Sequence, residues 1–498
     1  MTTKIKNGIS YEKNGWLYIS VNGTPKERGY AYGYLCAKEF KKVQEMLNFI
    51  SYNDTGETWD FFIESSQKYF EEKNKKKFPE FYEEIEGIAE GCTAGGTLTS
   101  TSEILAWNNY FTLDSWYNST LKSSGSAGKE GGAKDHCSAF IAVGDDYTED
   151  GNIVVAHNSF ANFVDGQYMR VILDLTPVKG HGHRFIMQTC PCWIWSGTDF
   201  FVTDAGIIGT ETTIGGFNAY ENNDPIGFRT RNAIQYGNSL DDYVKILLDE
   251  NSGDYANSWL FGDIKTKEIL RLELGLKYHN VERTHNGYYI GFNAAYDPRI
   301  RNKECNNSGF DDIRRHQGAR RVRLDDLINE NKKTLNVNIA IKIISDHYDV
   351  YLEKENPCSR TVCSHYELDN RAFMSDPGRP KPYQPRGALD GIVADSTMIK
   401  NMSFMAKFGS SCDIPFIVND FCEKQKQWAY LKKYLHDRPN QPWTLFSINK
   451  TNKTNKTNKT NKTNKTNKTN KTYKTYKTNK TYKKINKSKN SKKIQINK

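Results

Sequence analysis

Apolar residues recur at helical spacing through "TPKERGYAYGYLCAKEFKKVQEMLNFI" and again through "TWDFFIESSQKYFEEKNKKKFPEFYEEIEGIAEGC". After a strand-like opening, "GWLYISVNG", the first quarter of the chain is therefore predicted to be mainly helical. The period changes at residue 137. From there "SAFIAVGD", "NIVVAHN", "YMRVILDL", "RFIMQT", "DFFVTDAGIIGTETTIG", "NSWLFGDIKTKEILRLELG" and "YYIGFN" are short apolar or alternating runs separated by turn residues. Such a density of strands predicts at least one substantial sheet. Helical spacing returns in "TRNAIQYGNSLDDYVKILLDE", "RRVRLDDLINENK" and "NVNIAIKIISDHY". Helices must then pack against that sheet, which makes the expected architecture layered α+β.

Between the two regions lies "LKSSGSAGKEGGAKDH", residues 121–136, whose small and charged composition predicts a flexible, exposed loop. It ends abruptly at Cys137, the first residue of a strand that reads as buried. The turn-rich "GDDYTEDGN" leads into the next strand, and antiparallel pairing of the two would bring His157 and Asn158 back toward Cys137. A chain cut at His136–Cys137 would carry a thiol and a free α-amino group on one residue. The amine has an unperturbed pKa of about 7.7–8.0, suited to a general base near neutrality, and the thiol, near about 8.5, needs little activation. A buried cysteine opening a strand is the alternative. Local features leave both readings open.

Charge changes the picture less than its total suggests. The chain of 498 residues carries +10, but 18 lysines and no acidic residue fall in 449–498, which leaves the body with 51 basic against 59 acidic residues, a net charge of −8. No specific nucleic-acid partner is expected of such a body. The tail is an "NKTNKT" repeat with almost no apolar residues, too poor in burial to offset its ordering entropy, and is expected to be disordered. Its charge leaves contact with a membrane surface open. The opening residues lack an apolar signal-peptide core, so no export signal is expected. The ten cysteines show no compact disulfide framework. His181, His183, Cys190 and Cys192 offer zinc-type donors, as do Cys358, Cys363 and His365, but neither set has a standard finger spacing and no metal is assigned.

"CSAFIAV…NIVVAHNSF", "TDAGIIGTETTIGG", "NSGDYANSWLFGDIKTKEILRLELG" and "YYIGFNAAYDP" together resemble the phospholipase B-like family of the N-terminal-nucleophile hydrolase superfamily. More distantly they resemble acyl-coenzyme A:6-aminopenicillanic acid acyltransferases and penicillin V and bile-salt amidases. "PKERGYAYG" and "EEIEGIAEGC" resemble the helical N-terminal part of such precursors. The resemblance implies a four-layer αββα sandwich, with residues 1–120 as a mainly helical segment, 121–136 as the linker, 137–448 as the catalytic core and 449–498 as the tail. It further implies self-cleavage at His136–Cys137, with Cys137 as nucleophile, His157 beside it, Asn293 near the reacting carbonyl and Arg320 near the thiol, Arg321 being a close second. Asn158, Thr212, Thr213, Asn257 and Trp259 match family motifs and are candidates for oxyanion or substrate contacts. Packing for Trp259, a turn for Asn293 and a surface charge for Arg320 are the structural alternatives.

The expected activity is cleavage of an acyl bond, an amide first and a phospholipid ester second, through a thioester acyl-enzyme that needs no cofactor or metal. The partner is then a small acylated or lipid substrate. A catalytically dead binding protein is the rival from another class. Relatives are often secreted or lysosomal; the residues themselves fix neither compartment nor oligomeric state.

Overall fold

Thr24 opens the longest helix, Pro25–Thr55, with a capping box in which its hydroxyl accepts from Glu27 N–H and the Glu27 carboxylate accepts from Thr24 N–H. The helix ends at Gly56, whose φ of +83° suits a residue without Cβ. It crosses Pro79–Ala94 at unusually close range, and the residues that permit this are the i, i+4 glycine pairs of the two N-terminal motifs. A Cβ on Gly33 would lie 2.1 Å from the Ile88 carbonyl oxygen, and one on Gly91 would lie 2.1 Å from that of Tyr30. At the same crossing Glu84 is buried between Arg28 (2.6 Å) and Arg231 (2.7 Å), which ties both helices to Ile226–Tyr236.

The computed structural model describes residues 2–121, 137–197, 200–306, 308–371 and 381–449. The linker from residue 122 to His136 and the repeat tail from residue 450 lie outside the described residues.

Two large sheets carry the fold. The first runs Thr2–Ile5, Gly8–Lys13, Trp16–Gly23, Val171–Pro177, Phe185–Thr189, Phe200–Thr203, Ile207–Thr213, Asn257–Asp263, Glu268–Leu274 and His279–Thr284. All its pairings are antiparallel except that of Trp16–Gly23 with Val171–Pro177. The second sheet runs Gly287–Gly291, Cys137–Val143, Val154–Asn162, Asp390–Asp395, Ser403–Phe408 and Thr444–Ser447, with Arg386–Ala388 pairing the far end of Val154–Asn162.

Alternation along the strands sorts side chains into layers. Ala139, Ile141, Val155 and Ile392 of the second sheet meet Ile172, Ile186, Ile208 and Leu260 of the first in an apolar layer between the sheets. Phe140, Ala142, Val154 and Ala156 point the other way, onto Leu324, Leu327 and Ile343 of the helices His316–Glu330 and Val337–Ile344. The outer face of the first sheet, with Trp259, Phe261 and Leu272, is covered by the N-terminal helices and by Ile226–Tyr236 and Leu240–Leu248. The molecule is an α+β sandwich, helices outside and two sheets within.

Candidate active site

Cys137 opens its strand fully buried, at one end of the layer between the sheets. Its backbone N–H donates to Asn293 Oδ1 at 3.4 Å, and its carbonyl accepts from Arg320 Nη1. Arg320 also donates through Nη2 to Asn293 Oδ1 (2.7 Å) and through Nη1 to Ser138 Oγ (3.1 Å). Asn293 Nδ2 donates in turn to the Thr213 carbonyl at 2.7 Å. The carboxamide of Asn293 is thus fixed from both sides, because turning it over would set its NH2 against a guanidinium. Asn293 holds a left-handed φ of +67°, which asparagine tolerates better than most residues, just past the Gly287–Gly291 strand. Arg320 comes from the first turns of His316–Glu330 and is fully buried, whereas Arg321 donates to the Phe310 carbonyl.

On the neighbouring strand the register pairs Cys137 with Ser159, Ser138 with Asn158 and Ala139 with His157. His157 therefore lies two register positions along from the Cys137–Ser159 pair, on the same face of the sheet as Cys137, within the layer between the sheets. Burial pushes its pKa down to about 3, against a smaller opposing pull from the Glu211 backbone, so the ring is neutral at physiological pH. Asn158 faces the helices instead: its Oδ1 accepts from Ser138 N–H (3.2 Å), and its Nδ2 donates to Ile344 O, Val362 O and Ser411 Oγ.

Thr213, Asn257 and Trp259 form a second group on the outer face of the first sheet. Thr213 Oγ1 donates to the Tyr255 hydroxyl (2.9 Å), which donates to buried Glu211 (2.8 Å), and the Asn257 amide donates to the other Glu211 oxygen (2.9 Å). Trp259 stands opposite Glu211 in register and stacks on Phe261. Thr212 points inward, against the backbone of Gly291. The Thr213 carbonyl, which accepts from Asn293, links the two groups. A cavity of about 90 Å³, lined by Ile50, Trp59, Phe62, Phe111, Leu113 and Tyr255, abuts the second group; it is too small for a long acyl chain. Trp193 and Trp195 of "CPCWIWSGTDFF" stack on each other in the core and contact Phe111, which lines this cavity.

Sequence reasoning missed Asp390. It is fully buried, accepts from Ser159 N–H (2.9 Å) and from Gln188 Nε2 (2.7 Å), and so sits beside the residue paired with Cys137. Burial pushes its pKa up to about 6. Only its long sequence separation from Cys137 concealed it. Of the donors considered for a metal, His183 bonds Asp204 and Asn238 near the surface, while Cys192 is buried with its sulfur 3.4 Å from that of Cys92. His183 and Cys192, of the first set, do not converge.

The family model for phospholipase B matches residues 10–271, more than half of the chain. The chain belongs to the phospholipase B family. No protein of curated function matches it. The matched span of this phospholipase B family member includes Cys137, His157, Asn158, Thr212, Thr213, Asn257 and Trp259; Asn293 and Arg320 lie beyond it and join the site through the fold. Family membership supports a hydrolase acting on lipid.

Proposed function

We propose that the protein is a lipid acyl hydrolase whose nucleophile is the thiol of Cys137, released as a new N-terminus by cleavage of the His136–Cys137 bond. The observation that carries this reading is the convergence of Asn293 and Arg320 on the backbone of Cys137. In the cut chain the Cys137 nitrogen becomes an amine. Asn293 Oδ1, held by Arg320, accepts one of its N–H bonds and leaves the nitrogen lone pair free to take the thiol proton. The thiolate attacks the substrate carbonyl, the leaving alcohol takes the proton from the amine, and water hydrolyses the thioester. The fixed charge of buried Arg320 favours the anionic sulfur and the developing oxyanion.

The family resemblance implies Asn293 near the reacting carbonyl, where its amide could donate to the oxyanion. With Nδ2 already donating to Thr213 O, positioning the amine is the role its geometry supports better. Cleavage uses the same thiol before the amine exists: Sγ attacks the His136 carbonyl, the thiol proton passes to the peptide nitrogen, which leaves as the amine, and water opens the thioester. Family membership moves the favoured bond from the amide expected from sequence to a lipid ester.

Intact mass and N-terminal sequencing of the wild type beside Cys137→Ala test this directly. A wild type split before Cys-Ser-Ala-Phe, an uncut variant, and fatty-acid release from phosphatidylcholine by the wild type alone are expected. Equal fatty-acid release by both proteins would overturn the assignment. Release from N-acyl amides but not from phosphatidylcholine would overturn the ester preference alone.

A further inference from the structure

Near the segments whose backbone and hydroxyl groups accept from Asn158, four donor side chains from three separate segments converge. They are His347, just before the short strand Tyr348–Asp349; Cys363 and His365, just before the single turn Tyr366–Leu368; and Cys412, after Ser403–Phe408. Their ligand atoms all lie within 4.8 Å of one another. His365 Nε2 stands 3.2 Å from His347 Nε2 and 3.4 Å from both the Cys363 and Cys412 sulfurs. A tetrahedral zinc with Zn–S of about 2.3 Å and Zn–N of about 2.0–2.1 Å sets neighbouring ligand atoms about 3.3–3.8 Å apart. The side chains already stand at close to that spacing.

The second layer fits as well. His365 Nδ1 is 2.7 Å from Glu367 Oε1, so that nitrogen carries the proton and Nε2 directs its lone pair among the other three donors. Cys363, His365 and Cys412 are buried. We infer that His347, Cys363, His365 and Cys412 bind one structural zinc ion, both thiols giving up their protons on binding. Cys358, which the sequence reading grouped with Cys363 and His365, is outside the set; its sulfur faces Asp349.

The position of the site gives it a task. Asn158 Nδ2 donates to Ile344 O, Val362 O and Ser411 Oγ, which belong to the three segments that carry the ligands. Its Oδ1 receives the N–H of Ser138, next to the proposed nucleophile. The ion would clamp the wall against which Asn158 and the start of the Cys137 strand are set.

The test is elemental analysis of the full-length protein purified under reducing conditions, together with mass-spectrometric alkylation of its cysteines. About one zinc per chain is expected, with Cys363 and Cys412 protected from alkylation until the protein is unfolded in chelator. Cys363→Ser and Cys412→Ser should lose the metal, and Cys358→Ser should keep it. Should the serine variants fail to fold, cobalt substitution of the wild type serves instead, and a thiolate-to-cobalt charge-transfer band is then expected. Less than about a tenth of an equivalent of zinc with both thiols free, or a Cys363–Cys412 disulfide in the reduced preparation, overturns the site. Either result leaves the assignment of Cys137 untouched.

Discussion

Arg320 Nη2 donates to Asn293 Oδ1 at 2.7 Å while the same guanidinium grips the carbonyl of Cys137. One buried cation thereby orients the group that holds the Cys137 nitrogen and fixes the backbone of the residue proposed to react. Lysine keeps the charge but not the planar fork that reaches Cys137 O, Ser138 Oγ and Asn293 Oδ1 together. Arg320→Lys should therefore lower kcat/KM for phosphatidylcholine by about 10²–10³-fold and should slow cleavage before Cys137. Steady-state rates measured below the unfolding transition check this, and a variant within threefold of the wild type would assign Arg320 to packing.

Asp390 and His157 oppose each other in acid. Asp390 keeps its proton up to about 6 when folded, against 3.8 for an ordinary aspartate, so stability falls as pH rises through that window. Folded His157 refuses a proton until about pH 3, against 6.5 for ordinary histidine, so stability falls as pH drops across its own window. Asp390→Asn removes the first slope only. The variant should be more stable than the wild type at pH 7, by up to about 3 kcal/mol, and should lose that advantage by pH 4. Urea titrations at the two pH values decide; equal differences at both would show that Asp390 titrates normally.

Gly33→Ala places a methyl group against the Ile88 backbone, which cannot yield as a side chain would. A loss of about 1–3 kcal/mol is expected, read as a lower urea midpoint. Gly56→Ala, with nothing within 4 Å of the new Cβ, should cost only what its positive φ imposes.

Glu84→Gln leaves the buried guanidinium groups of Arg28 and Arg231 without their shared counter-charge. Breaking such a buried pair costs about 3–5 kcal/mol, and calorimetry should show the transition falling accordingly. Glu90→Gln removes only an exposed pairing with Lys26 and should stay within about 1 kcal/mol of the wild type.

Most strands from Cys137 to Gly291 were legible because they are apolar runs punctuated by turns, and so were the long helices; the edge strand His279–Thr284, polar and alternately exposed, was not. Nor was the outer half of the second sheet. Asp390–Asp395 opens on a buried acid and a glycine, and Ser403–Phe408 contains a buried lysine paired with Asp413, so neither presents a clean alternation. Cys137 stood out because a linker meets a strand there. Asp390 and the cluster of His347 and Cys412 could not stand out, since only the register of distant strands and loops brings them to their partners.

The strand Trp16–Gly23 lies parallel to Val171–Pro177 inside the larger sheet, with the proposed cut before Cys137 between them in sequence. Cutting the backbone there would not free a leader peptide, since the earlier piece supplies three strands that the later piece cannot replace. The matured protein would be two polypeptides sharing one fold, and the join could be made only once. After denaturation, recovery would become a meeting of two molecules, second order in concentration, whereas the uncut Cys137→Ala chain would refold at a rate independent of dilution.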